Sequence, residues 1–150
     1  MQRKKRRRIK SNNKGYEAFL RNLKLFGLAL TNSSCEVDRP TYFRLRDKKV
    51  AVRSVAANYE LVRVEREFFN AVAKFKLTVD DKNRKERALT IQCTFQTHFH
   101  GKEPIDRTFA KQFTISELRL VIWPYFRQFV SDTTARMAIA PIVVPLSTQS

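Results

Sequence analysis

The sequence predicts an α+β fold: a four-stranded antiparallel sheet packed against one long C-terminal helix. Three observations carry this reading. Apolar residues alternate with a period of two between residues 69 and 99. They recur at three- and four-residue spacing from 118 to 137. The strands come first and the helix last, which implies one sheet layer and one helical layer. With 150 residues, 43% of them hydrophobic and 12 of them Phe, the chain can fill one core, and 3 Gly and 5 Pro exclude low-complexity classes.

The chain opens on a basic run. Arg3, Lys4, Lys5, Arg6, Arg7, Arg8 and Lys10 stand without an acid among residues 1–10. Like charges repel, so residues 1–14 are expected to be a disordered tail, with 15–150 as the folded domain. The run meets polar Ser11-Asn12-Asn13, and the apolar stretch from Phe19 to Leu30 is broken by Arg21, Asn22 and Lys24. That is a poor secretory signal, no segment reads as membrane-spanning, and two Cys are too few for a disulfide framework, so the expected compartment is the cytoplasm.

Leu23, Leu25, Leu28 and Leu30 suggest a first strand with a parity shift near Gly27. The polar cluster 31–39 and Pro40 argue for a crossing loop anchored by Tyr42, Phe43 and Leu45, and Val50, Val52 and Val55 suggest a short strand. Val62 and Val64 lie on even parity and Phe69 on odd, which marks a bulge or a break between strands. The clearest element is a hairpin. Phe69, Ala71, Ala73, Phe75, Leu77 and Val79 form one apolar face, and Leu89, Ile91, Cys93, Phe95 and Phe99 form another, with polar residues 80–87 as the loop.

After the Gly101–Pro104 turn the period changes. Thr114 and Glu117 fit a capping box, and the helix after it carries Leu118, Val121, Ile122, Tyr125, Phe126, Phe129, Val130 and Met137. Pro124 predicts a kink or restart, and Pro141 and Pro145 predict an extended C-terminal segment. Leu120, Val121, Ile122, Trp123, Tyr125 and Phe126 leave the helix apolar around most of its girth. Its own sheet covers one side, so another subunit or a client is expected to cover the rest.

No catalytic or metal-binding residues are assigned, and no cofactor is implied. His98 and His100 face one side of a strand, but they are the only two His, and Cys93 has the opposite parity. Asp80-Asp81, Glu65 and Glu67 sit among Lys and Arg, as ion pairs do, and three Gly cannot build a phosphate loop. An enzyme is therefore not expected. The net charge is +16, and residues 11–150 still carry +9 of it. A nucleic-acid-associated protein using the Arg3–Lys10 tail is accordingly the second reading, although Thr90, Gln92, Thr94 and Gln96 offer no stacking aromatics.

The C-terminal third resembles the SecB family of protein-export chaperones. The resemblance rests on Trp123-Pro124-Tyr125-Phe126-Arg127-Gln128-Phe129, continues through Thr133-Thr134-Ala135-Arg136-Met137, and ends in Ile139-Ala140-Pro141-Ile142-Val143. It implies a SecB-like domain in which a long helix crosses a four-stranded sheet, and a homotetramer built as a dimer of dimers. It also implies an ATP-independent holdase whose apolar grooves take extended, non-native polypeptides. The chain departs from the family in its basic charge, which does not rebuild the acidic surface used on the export motor ATPase. A dedicated client, such as the antitoxin of a toxin–antitoxin pair, fits a chain without that docking feature. Under this resemblance the client-contact residues are Tyr42, Phe43 and Leu45 in the crossing loop and Trp123 and Phe126 on the helix, with core or subunit interface as their competing role.

Overall fold

A computed structural model describes residues 13–45 and 49–145. The elements are a helix over 13–22 (α1), β1 (Leu23–Val37), α2 (Arg39–Leu45), β2 (Ala51–Val64), β3 (Phe68–Asp81), β4 (Arg87–Gly101), α3 (Arg107–Ser116) and α4 (Leu118–Arg136). The strands form one antiparallel sheet in the order β1-β4-β3-β2. The expected α+β architecture is therefore present, with more helices than the sequence reading assigned.

The central hairpin is as the alternation predicts. Phe69 pairs with Phe99, Phe75 with Cys93 and Leu77 with Ile91, and all six are buried. The one gap in the apolar parity is Thr97, whose hydroxyl donates to the Ala71 carbonyl at 2.8 Å, so its burial leaves no polar group orphaned. Leu118, Ile122, Phe126, Val130 and Thr134 form the buried stripe of α4, and the Phe126 ring stacks on Phe75 at 4.3 Å. Phe113 of α3 closes the other end of this layer against Phe69 and Phe99.

The edge strands are longer than their side chains suggest. β1 runs on through residues 31–37, which the sequence reading gave to a loop, because Asn32 to Val37 pair in register with Thr94 to Leu89. An edge strand needs backbone partners on one side only and tolerates exposed polar side chains. The parity shift near Gly27 is a bulge between Leu25 and Gly27. β2 spans 14 residues rather than a short segment, and the break before Phe69 is the turn between Val64 and Phe68.

The helix boundaries need correction. The expected N-cap Thr114 lies inside α3, where its hydroxyl donates to the Ala110 carbonyl at 2.8 Å, and Glu117 makes no side-chain cap. The helical layer breaks at Glu117, and α4 continues through Pro124. Pro124 is exposed, so water can serve the carbonyl that lacks its N–H. The α3 start is set by Asp106, whose carboxylate accepts from the Phe109 N–H at 3.0 Å. Asp38 caps α2 in the same way through Thr41, and Pro40 sits in its first turn, where a missing N–H is harmless. Of the tail expected to be disordered, residues 1–12 lie outside the described residues, and Asn13 and Lys14 open α1.

Asp81 ties α2 to the β3–β4 turn. Burial alone would raise its pKa. The Arg84 and Asn83 N–H groups and the Arg44 guanidinium outweigh that and hold it below the usual 3.8. A carboxyl depressed on folding adds stability above its unfolded pKa and loses it as the pH falls through the folded value. Asp81→Asn should therefore lower stability at neutral pH and flatten the acid side of the stability curve below about pH 4, read by urea unfolding across pH. Phe126→Ala should cost about 3–5 kcal/mol, whereas Leu120→Ala, at a position 65% exposed, should stay within about 0.5 kcal/mol.

Candidate functional site

Part of the second side of the α4 helix is covered by the chain itself, while Leu120 and Tyr125 stay open. Met137 ends α4, Ala138 adopts a left-handed backbone (φ 52°), and residues 139–145 return along the helix as an extended segment outside any helix or strand. Ile139, Ile142 and Val144 point into the core, while Pro141, Val143 and Pro145 face outward. The prolines that predicted an extended segment also deny it helix and ladder.

Four side chains from two elements hold this segment and the helix end before it: three donate to its backbone carbonyls and the fourth to that of Met137, the α4 C-cap. From α2, Arg39 Nη2 donates to Met137 O at 2.8 Å and the Tyr42 hydroxyl to Ala140 O at 3.2 Å. From α4, Arg127 Nε donates to Val144 O at 2.8 Å and Trp123 Nε1 to Pro145 O at 2.7 Å. The result is a channel between α2 and α4 filled by an apolar segment that belongs to no helix or strand. Its donors read main chain, which every peptide shares, and its walls take aliphatic side chains.

The five predicted contact residues divide accordingly. Tyr42 and Trp123 both line this channel. Leu45 and Phe126 are core: Leu45 is buried at the end of α2, and Phe126 has no exposed surface because it lies at the centre of the α4 stripe on Phe75. Phe126 therefore cannot touch a client in this conformation. Phe43 is the one of the five with an open ring, about half exposed beside Tyr42. Arg39 and Arg127 were missed. Their cue was proximity in sequence to Tyr42 and Trp123, but a donor to a backbone carbonyl carries no sequence signature.

Further apolar side chains stand open. Ile115, Leu120 and Tyr125 lie on the outer helical surface, Leu25 and Leu30 on β1, and Val52, Val55 and Val62 on β2. The bulge also places Phe26, 71% exposed, against His100 on the other sheet face, where Phe68 and His98 complete an aromatic cluster. The sequence reading found no stacking aromatics at Thr90, Gln92, Thr94 and Gln96, and this cluster lies beyond them, at the His98–His100 end.

His98 and His100 do share a face, with their Nε2 atoms 2.8 Å apart and Asn70 Oδ1 on His98 Nδ1. Among the described residues no group of three or more His, Cys, Asp or Glu could hold a metal ion. Cys93 lies on the opposite, inner face, where burial and then Cys35 push its thiol up to about 12. Among the described residues no helix is long and apolar enough to cross a membrane.

Among solved structures the chain is similar to a Mycobacterium tuberculosis SecB-like chaperone, Rv1957, determined in complex with a ChAD peptide from the HigA1 antitoxin. The TM-score is 0.70 at 13% identity, over 87% of this chain and 94% of that one. This is a SecB-like fold. A Streptococcus agalactiae protein of unknown function also aligns, with a TM-score of 0.49 at 6% identity, over 82% of this chain and 96% of that one. No family model matches the chain, and no curated protein is similar to it in sequence. The sheet order and helical layer of the SecB-like fold thus persist here at an identity where side-chain roles do not transfer.

The site makes one reactivity prediction. Cys35 is exposed and Cys93 is buried with a raised pKa, so a disulfide reagent such as DTNB should titrate one thiol in the native protein. The second should appear only on unfolding.

Proposed function

We propose that this protein is an ATP-independent holdase that binds extended, non-native polypeptides. The observation that carries the reading is the set of large apolar side chains left open on a SecB-like protomer: Phe43, Ile115, Leu120 and Tyr125 on the helical side, with Leu25 and Leu30 on the adjoining edge strand. Each is a site where a client can bury apolar surface, at about 25 cal/mol per Å². Polypeptide holding needs no nucleotide, metal or bond-making group, because capture is driven by burial and by backbone hydrogen bonds.

The net charge of +16 favours acidic clients by complementarity. The solved SecB-like chaperone bound to an antitoxin peptide supports a dedicated antitoxin client as the finer form of this reading. The remaining open apolar surface supports assembly as a dimer of dimers, with a mass near four times the 17.6 kDa chain by light scattering.

The purified protein should suppress aggregation of a reduced, unfolded test protein without ATP at about 150 mM salt, where surface charge is strongly screened. Leu120→Glu with Tyr125→Glu should weaken that effect severalfold and leave the fold intact by circular dichroism. Deleting residues 1–12, short of α1, should spare it. Loss of holding on that deletion, with steeply salt-dependent RNA or DNA binding by the full chain, would instead establish the basic tail as the working part.

A further inference from the structure

We propose that the outer face of the sheet, at the end where Phe26, Phe68, His98 and His100 meet, binds single-stranded nucleic acid by stacking its bases on these rings. The proposal is independent of the holdase reading. It concerns the face of the sheet turned away from the helical layer.

The rings come together from three strands. Register sets Lys24 and Phe68 opposite His100, and Gly27 and Asn70 opposite His98. The Phe26 ring lies 4.5 Å from that of His100, and the Phe68 ring lies 4.7 Å from that of His98. The two imidazoles are held by each other, with Nε2 atoms 2.8 Å apart, and by Asn70 on His98 Nδ1. The platform is therefore set before any ligand arrives. Arg63 already covers the Phe68 ring, 5.5 Å from its centroid. Phe26 is 71% exposed, and Gly27 beside it has no side chain to stand over His98. Phe26 is thus the ring that takes a base.

An open ring can take a base or an apolar side chain, and its surroundings decide between them. Away from the rings, this face of β4 carries Gln96, Thr94 and Gln92, and β3 carries Lys74 and Lys76. At the strand rise these lysines lie about 13 and 20 Å along the sheet from Asn70. Lys24 flanks the rings on the other side. All three lysines are exposed, and none is in an ion pair among the described residues. Acids keep to the margins: Glu60 on edge strand β2, Glu36 on edge strand β1, and Asp80 at the far end, paired with Arg87. Amides and hydroxyls gain little by covering an apolar client, but they can pair with base edges. A single strand also offers π faces to the rings and phosphates to the lysines. A duplex keeps its bases stacked inside and meets only the lysines. The basic run Arg3–Lys10 is a contact that any nucleic acid can make; the ring platform is what tells a single strand from a duplex.

The test uses the full chain at about 150 mM salt. Dye-labelled oligo(dT), oligo(U) and a duplex, each of about 20 nucleotides per strand, are followed by anisotropy. Phe26→Ala should weaken the single strands about tenfold and leave the duplex unchanged. Lys74→Ala with Lys76→Ala should lower the slope of log affinity against log salt by about 1.4, two phosphates at about 0.7 each, whereas Phe26→Ala should keep the slope. In Phe26→Trp the added indole should lose emission on stacking, over a constant background from the buried Trp123. A loss on Phe26→Ala confined to oligo(U) or to oligo(dT) would support the site and assign it to RNA or to DNA. No binding of either single strand would overturn the proposal. So would a folded Phe26→Ala protein with unchanged single-strand affinity, or one weakened equally on the duplex. Polyglutamate binding that falls in the same way on Phe26→Ala would overturn it in favour of an acidic polypeptide. Bound oligonucleotide with unchanged Phe26→Trp emission would also overturn it, which keeps the test decisive even where Phe26→Ala fails to fold.

Discussion

The helical layer is narrower than the sheet it covers. α4 and α3 seal the inner face of β3 and β4, where the apolar positions are buried to a few per cent or less. β1 and β2 are covered only in part: Leu23, Leu28, Tyr59, Leu61 and Val64 pack on the core, while the inward residues Leu25, Leu30 and Val55 remain partly open. A sheet with two free edges and one partly covered face has unspent capacity for hydrophobic burial and for backbone pairing.

The interior under the cover is built from aromatic contacts that cross between layers. Phe75 stacks on Phe126 and meets Trp123 edge-on, and Phe69 stacks on Phe99 while Phe113 packs across both. Such rings bury large areas in defined geometry, which fixes α4 over the central hairpin. Trp123 thereby serves two surfaces: its ring belongs to this interior and its N–H to the adjoining channel. A rigid core residue that presents one donor outward is a good way to position a backbone contact, because packing has already fixed its rotamer.

Charge and apolar surface work separately in this chain. Of the ion pairs that can be named, Arg63 with Glu65 and Arg87 with Asp80 are local and exposed and contribute little to stability, whereas Arg44 joins α2 to Glu86 and to the nearly buried Asp81. The excess of basic side chains affects association with other molecules, through encounter rate and partner choice, more than it affects the fold.

The hairpin was legible in the sequence because a half-buried strand must alternate, and the α4 stripe because a covered helix must repeat every three or four residues. The same local rules carried the extended C-terminal segment, through Pro141 and Pro145, and the bulge at Gly27. They failed for β1 beyond Leu30 and for most of β2, since an edge strand is held by backbone bonds that leave no trace in side-chain pattern. They also failed at Thr114, where the cap moved. What covers the broad apolar girth of α4 could be decided only by the tertiary structure. Periodicity states that a face should be hidden, but the neighbour that hides part of it, here residues 139–145 returning along their own helix while Leu120 and Tyr125 stay open, is a fact of chain path and not of local composition.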